Sequence, residues 1–148
     1  MSFGRSYEEF EVGAVYRHWP GKTVTEYDHH LFCLLTMTHH PKHLDAHYAQ
    51  TSTNLKRNPV LTTYLYSLVL GMSVRDVTGQ ALSHDEELLE QIAPVFHGDT
   101  VYAQTEVLAK HVVPNRHGRG EVQVETRGFT QEDTLFLRVR RRIAVPRS

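Results

Sequence analysis

The chain has 148 residues, of which 40% are hydrophobic and 22% charged, and its formal net charge is −1. This length fits one domain, 1–148, whose core can form without disulfide or metal support. The composition is that of a globular rather than a disordered chain, and the near-neutral charge gives no electrostatic footprint for nucleic acid.

Targeting and redox signals are few. The opening residues, MSFGRSYEEFEVG, are partly acidic and contain no apolar run, so we expect no signal peptide. No apolar stretch approaches the ~20 residues that a membrane span needs. The single cysteine, Cys33, excludes an internal disulfide, and its apolar neighbours indicate a buried thiol. We therefore expect a cytoplasmic protein that binds neither nucleic acid nor membrane.

The first part of the chain is predicted to be mainly helical. A short strand is expected at residues 14–18, before a Pro-Gly turn. Thr25 stands three residues before Asp28, which predicts the N-terminal cap of a helix. That helix should end before Pro41, because proline disfavours helical geometry in the residue that precedes it. Asp45 is a good N-cap for a second short helix, DAHYAQT.

The rest of the chain predicts one helix and several strands. From Pro59 the run VLTTYLYSLVLGMSV predicts a long helix that is apolar nearly all round and therefore buried. EELLEQIAPVF then leads to the turn HGD, in which Gly98 takes a positive φ and Asp99 bonds the backbone, with no catalytic role. Three alternating segments follow: TVYAQTEVLAKHVV, GEVQVETRGFTQ and LFLRVRRRIAVP. Together they predict an α+β fold, with a curved antiparallel sheet of five or six strands wrapped around a long central helix.

Histidine is the compositional anomaly. The chain has 11 histidines, and six fall within 19 positions: His29, His30, His39, His40, His43 and His47. Three of them, His39, His43 and His47, recur every four residues, which on an unbroken helix would form one metal-binding face. Pro41 argues against such a helix, and no H-E-x-x-H motif is present. We therefore predict no metal site.

Two motifs resemble those of a known family. The segment PVFHGDTVYA and the loop TMTHHPKHLD are similar to segments of the MaoC-like dehydratases, the (R)-specific enoyl-CoA hydratases, and the likeness spans most of the chain. The resemblance implies a single hotdog domain that adds water to, or removes it from, an enoyl-CoA thioester. It also implies no cofactor beyond the CoA of the acyl-CoA substrate, and a homodimer or a dimer of dimers.

The loop departs from the family pattern G-D-x-N-P-[LIV]-H at several positions. The matching residues are Pro41, His43, Asp45 and Ala49. Met37 stands where glycine is usual, Thr38 where the catalytic aspartate belongs, His40 where asparagine belongs, and Lys42 where an aliphatic residue belongs. These departures resemble a subgroup of mesaconyl-CoA, β-methylmalyl-CoA or itaconyl-CoA hydratases, which act on short, branched dicarboxylic acyl-CoAs.

The resemblance assigns roles to the loop residues. His43 is the candidate base and acid, since a histidine with a pKa near neutrality can take and return a proton. The share of the missing aspartate would fall to Asp45, to His40, or to a water that Thr38 positions. Asp45 is equally well explained as a helix N-cap.

The remaining candidate residues would bind substrate. Backbone N–H groups at the start of the buried helix, from Val60, Leu61 and Thr62, would form the oxyanion hole. Lys56 and Arg57, with the arginines of the last strand, are candidates for CoA phosphates or a substrate carboxylate, and plain surface charge is the alternative.

Two other functions stay open. Hotdog thioesterases commonly have a catalytic carboxylate on the central helix, and residues 61–74 contain no Asp or Glu, which disfavours hydrolysis. A non-catalytic hotdog subunit that binds acyl-CoA would account for the missing aspartate. Such a subunit would bind ligand without turnover.

Overall fold

A computed structural model describes residues 3–114 and 116–148; residues 1, 2 and 115 of the predicted 1–148 domain lie outside the described part. Its strands are β1 (Val15–Arg17), β2 (Lys22–Thr23), β3 (Ser83–Gln91), β4 (Thr100–Val112), β5 (Arg119–Thr130) and β6 (Leu135–Pro146). They form one antiparallel sheet in the order β1-β4-β5-β6-β3, in which β2 also pairs with β4. The strand predicted at residues 14–18 and the three long alternating segments are therefore confirmed.

The α-helices lie between β2 and β3 in the sequence. They are α1 (Glu26–Leu35), α2 (Pro41–Leu44), α3 (Ala46–Ser52) and α4 (Thr62–Met72). A short 3-10 helix, Tyr7–Glu9, precedes β1, and a π-helix, Val74–Thr78, follows α4. The predicted cap of α1 is confirmed, since the Asp28 N–H donates to Thr25 Oγ1 at 3.2 Å and the Thr25 N–H donates to Asp28 Oδ1 at 3.1 Å. The one-turn helix α2, which starts at Pro41, was not predicted.

The central helix α4 packs against β4, β5 and β6, and the core forms where they meet. It is shorter than predicted, with 11 residues, because the preceding segment 59–61 is extended and is held by a hydrogen bond from the Val60 N–H to the Val95 carbonyl at 2.8 Å. The prediction of an apolar surface nearly all round was wrong. The buried residues are Tyr64, Leu65 and Val69, whereas Thr63, Ser67 and Gly71 form an exposed face. No helix in the described ranges is long and apolar enough to cross a membrane.

The conformation at the end of α1 favours glycine at position 37, where Met37 replaces the glycine that is usual in the family that this loop resembles. Met37 adopts a φ of 58°, in the left-handed region. The Thr38 N–H donates to the Cys33 carbonyl at 2.8 Å, and the Met37 N–H donates to the Leu34 carbonyl at 3.3 Å. This pair of bonds is the Schellman C-cap, whose left-handed residue is most often glycine because it has no Cβ.

Replacement of Met37 with glycine should therefore stabilise the protein. We expect Met37→Gly to raise the free energy of unfolding by about 0.5–1 kcal/mol, since it removes the Cβ clash at positive φ. Leu35→Gly is the matched control, and it should lower the same quantity because Leu35 is helical and also exposed. Urea unfolding of both variants measures the difference, and equal destabilisation by the two changes would contradict the assignment.

Candidate active site

His43 is the buried histidine of the loop, with 6% of its surface exposed. Its Nδ1 lies 2.8 Å from the Pro59 carbonyl oxygen. A carbonyl only accepts hydrogen bonds, so Nδ1 bears the proton and Nε2 keeps a free lone pair. Burial lowers the pKa of His43 below its ordinary value of 6.5. The ring is therefore neutral at neutral pH and suited to act as a base through Nε2.

His43 lines a pocket of about 360 Å³ between α2, the segment 59–61 and the residues that follow β3. The apolar lining comes from Leu55, Pro59, Val60, Ile92, Ala93 and Pro94. The polar lining comes from Lys42, His43, Thr62 and Gln91, and the Thr62 hydroxyl donates to Gln91 Oε1. An apolar wall with a few convergent polar groups is typical of a small-molecule site.

Two of the three predicted oxyanion donors are already engaged. The Val60 N–H donates to the Val95 carbonyl at 2.8 Å, and the Leu61 N–H donates to His29 Nε2 at 2.9 Å. The prediction is therefore corrected for Val60 and Leu61, because neither N–H points to a free acceptor site. Thr62 is the first residue of α4, where a backbone N–H has no acceptor within the helix.

The predicted substitutes for the missing aspartate, Thr38, His40 and Asp45, each form hydrogen bonds with groups other than His43. Thr38 is half-buried, and its hydroxyl bonds that of Thr36 at 3.0 Å. His40 is exposed and caps α2, with Nδ1 accepting from the Lys42 N–H at 3.1 Å. Its Nε2 therefore bears the proton of the neutral ring, and the His40 and His43 ring centroids are 6.5 Å apart.

Asp45 is the N-cap of α3, which was one of the two roles predicted for it, the other being a substitute for the missing aspartate. Its Oδ1 accepts from the Tyr48 N–H at 2.9 Å, and the side chain is exposed. Among the described residues no ion pair joins Asp45 to His43, and the pKa of His43 is lowered by burial first, then by the charges of Lys42 and His40. The role of Asp45 in balancing the charge of His43 is thus not supported by the geometry.

Two substitutions of Asp45 separate its role as the N-cap of α3 from the effect of its negative charge. Asp45→Ala should lower the free energy of unfolding by about 1 kcal/mol, because it removes the hydrogen bond to the Tyr48 N–H. Asp45→Asn should be nearly neutral, since asparagine caps helices about as well as aspartate. Thermal unfolding checks the stabilities. A large loss of function in folded Asp45→Asn would restore the charge-balancing role.

A hydrogen-bonded pair of histidines, His29 and His97, lies next to His43. His29 has no exposed surface, and its ring centroid is 5.9 Å from that of His43 in an edge-to-face contact. Its Nε2 accepts from the Leu61 N–H, so its Nδ1 bears the proton and donates to His97 Nε2 at 2.6 Å. The HGD turn is confirmed, with Gly98 at a φ of 95°, but its histidine also contacts α1. Sequence reasoning missed this contact, which joins residues 68 positions apart.

The histidines that meet are not those whose spacing suggested a metal site. His39 and His47 are exposed and lie apart from His43, because Pro41 starts a new helix. Among the described residues, the group that could hold a metal ion is His29, His30 and His97, whose ligand atoms lie within 4.8 Å of one another. Coordination through His29 Nδ1 would require a proton on Nε2, which faces the Leu61 N–H. These histidines therefore fit a hydrogen-bonded pair, His29 and His97, better than a metal site.

Protonation of His29 should destabilise the folded protein at acidic pH. Burial, followed by the neighbouring histidines, lowers the pKa of His29 to about 4. Below pH 6.5 the unfolded chain binds a proton at this residue that the folded chain does not. The free energy of unfolding should therefore fall by on the order of 3 kcal/mol between pH 6.5 and pH 4 from His29 alone.

The variant His29→Gln tests this account, because an amide oxygen can accept from the Leu61 N–H without titrating. Urea unfolding from pH 7.5 to 4.5 should show a shallower loss of stability for His29→Gln than for the wild type. Exposed His47→Gln serves as the control and should keep the wild-type slope. An unchanged slope in His29→Gln would show that other groups dominate the acid sensitivity.

The predicted basic residues lie outside the His43 pocket. Lys56 and Arg57 line a neighbouring pocket of about 330 Å³ with His97, and the Arg57 guanidinium stacks on the Phe96 ring at 3.6 Å. The arginines of β6 that face outward form ion pairs with strand carboxylates, as in Arg138–Glu90, Arg140–Glu125 and Arg142–Glu121. Arg141 is buried and donates to the Ser73 and Thr126 hydroxyls. These arginines are therefore engaged within the fold.

Comparison with known proteins identifies relatives over nearly the whole chain. The sequence model of the mesaconyl-CoA hydratase family matches residues 2–147. A β-methylmalyl-CoA dehydratase from Chloroflexus aurantiacus is 27% identical over 120 residues, which are 81% of this chain and 34% of that protein. The chain thus spans about one third of the length of this curated relative.

Two solved structures show the same architecture. A MaoC domain protein dehydratase from Chloroflexus aurantiacus is 26% identical with a TM-score of 0.91, over 97% of this chain and 41% of that one. An R-hydratase from Pseudomonas aeruginosa, in the unliganded form, is 27% identical with a TM-score of 0.77, over 99% of this chain and 88% of that one. The predicted hotdog fold is confirmed.

Proposed function

The chain belongs to the mesaconyl-CoA hydratase family, and from this premise we propose that it adds water to, or removes it from, the α,β double bond of an enoyl-CoA thioester. The observation that supports this most directly is the state of His43. It is a buried, neutral imidazole with Nδ1 held by a carbonyl and Nε2 free beside a pocket. Hydration needs a group that first accepts a proton from water and then returns one to the substrate.

The proposed reaction uses His43 in both steps. Nε2 takes a proton from a water molecule as the oxygen bonds to C3 of the enoyl group, and the electron pair of the double bond moves to C2 and the thioester oxygen. The imidazolium then gives its proton to C2. The Thr62 N–H, at the positive end of the α4 dipole, is the proposed donor to the enolate oxygen.

The role of the missing aspartate is assigned to a bound water. Of the predicted substitutes, His40 is the group best placed to hold this water, since its Nε2–H is a donor and its ring is 6.5 Å from that of His43 by centroids. Thr38 is engaged with Thr36, and Asp45 with the α3 backbone. Lys56 and Arg57 remain proposed contacts of the CoA phosphates, at the neighbouring pocket.

The proposed acyl group is short, branched and dicarboxylic, of the mesaconyl, itaconyl or β-methylmalyl type. The family description and the curated relative, a β-methylmalyl-CoA dehydratase, both support this class. A pocket of about 360 Å³ suits a short acyl group.

The proposed assembly is a homodimer or a dimer of dimers. The two Chloroflexus relatives are more than twice as long as the part that this chain matches, so they have room for a second unit. A second copy of this chain would supply that unit here. β3 lies at the edge of the sheet, and an edge strand has unpaired backbone groups that a neighbouring copy can cover.

The test follows the loss of enoyl-thioester absorbance with mesaconyl-CoA, itaconyl-CoA and crotonyl-CoA. His43→Asn keeps a donor for the Pro59 carbonyl but has no base, so we expect it to lower kcat by about 10²–10⁴-fold. His39→Asn changes an exposed histidine of the same loop and should keep the wild-type rate.

The alternatives predict different outcomes in the same assay. Binding of the CoA esters without turnover would favour a non-catalytic hotdog subunit. Release of free CoA thiol would favour a thioesterase, although α4 provides no carboxylate for hydrolysis. Equal rates for wild type and His43→Asn would remove His43 from the mechanism.

A further inference from the structure

Lys42 and His43 are consecutive residues of α2, and both line the same pocket. Lys22 pairs with Asp28 at 2.6 Å, and Lys110 donates to the Phe10 carbonyl at 2.9 Å. Within the described ranges, Lys42 has no ion pair, and its side chain is exposed at the pocket. An unpaired ammonium beside a candidate base is available to a ligand.

The surroundings of Lys42 favour an anionic ligand. Among the described residues that line the pocket there is no Asp or Glu, and His43 is neutral, so Lys42 sets the charge of the pocket. The backbone of Lys42 is also fixed. Its carbonyl accepts from Asn58 Nδ2 at 2.7 Å, and its N–H donates to His40 Nδ1. The ammonium therefore extends from an anchored position next to His43.

The chemistry of the proposed acyl group places an anion at this point. Mesaconic acid is methylfumaric acid, a diacid whose four-carbon main chain has a central double bond. In its CoA monothioester the free carboxylate is therefore bonded to C3, which is the carbon that water attacks. The group that binds the carboxylate must then lie directly beside the base. A cation there also offsets the repulsion between the carboxylate and the electron-rich attacking oxygen.

We propose that Lys42 is the specificity-determining residue of this site, which binds the free carboxylate of a dicarboxylic acyl group. This inference rests on the proposed function. The same ammonium chemistry would also suit a phosphate of CoA, and the two sources differ in one respect. A carboxylate contact discriminates between acyl groups, whereas a phosphate contact acts equally on every CoA ester.

The experiment compares mesaconyl-CoA with crotonyl-CoA, which has the same double bond and no carboxylate. Lys42→Met keeps the length of the side chain and removes its charge. We expect the ratio of kcat/KM for mesaconyl-CoA to that for crotonyl-CoA to fall about 10- to 100-fold, the effect of losing one charged hydrogen bond. Lys42→Arg should retain most of the ratio. Lys56→Met, at the neighbouring pocket, should leave the ratio unchanged.

Two results would overturn the proposal. Equal losses on both esters would assign Lys42 to the CoA moiety, and no change on either would make it a plain surface charge. Dissociation constants of both esters, measured by calorimetry for wild type and Lys42→Met, give the same ratio without turnover. A shift in the binding ratio in a protein with no turnover would support the role of Lys42 and reject hydration, so the two failures are distinguishable.

Discussion

The segment 59–61 is the constraint on which the candidate site depends. Three of its backbone groups bond to three different parts of the chain: the Pro59 carbonyl to His43, the Val60 N–H to the Val95 carbonyl, and the Leu61 N–H to His29. A shift of this segment would leave these polar groups unpaired inside the protein, at a cost of about 1–3 kcal/mol each. The start of α4 and the candidate base are therefore fixed relative to each other.

The same hydrogen bonds that fix the segment also set the chemistry of its histidines. The Pro59 carbonyl selects the His43 tautomer with the proton on Nδ1 and a free Nε2, and the Leu61 N–H, which donates to His29 Nε2, selects the same Nδ1-protonated tautomer of His29. A carbonyl thus performs the orienting role that a carboxylate performs in many histidine sites. This explains how a threonine at position 38 is compatible with a correctly oriented imidazole at His43. The departure at Thr38 affects the group proposed to hold the attacking water, not the state of the candidate base.

Local sequence signals predicted the elements well and the site only in part. Buried and more exposed residues alternate along β4, β5 and β6 with a period of two, which is typical of strands. Thr25 and Asp45 cap helices by accepting hydrogen bonds from backbone N–H groups three residues away. His29 contacts His97, and the buried Arg141 contacts Ser73, and both contacts join residues far apart in the sequence. No local sequence pattern predicts such contacts. The late start of α4 has the same origin, because segment 59–61 bonds to residues beyond β3.

In the structure, the groups that position the candidate base differ from the group that sets the charge of the pocket. The position of His43 depends on segment 59–61, whereas the charge of the pocket depends on the side chain of Lys42, whose backbone is held by Asn58 and His40. A substitution at position 42 can therefore change the charge that the pocket prefers without moving the base. The outward arginines of β6 do not compensate, because Arg138, Arg140 and Arg142 already pair with strand carboxylates. The proposed selectivity for a charged acyl group thus depends on one side chain of a one-turn helix.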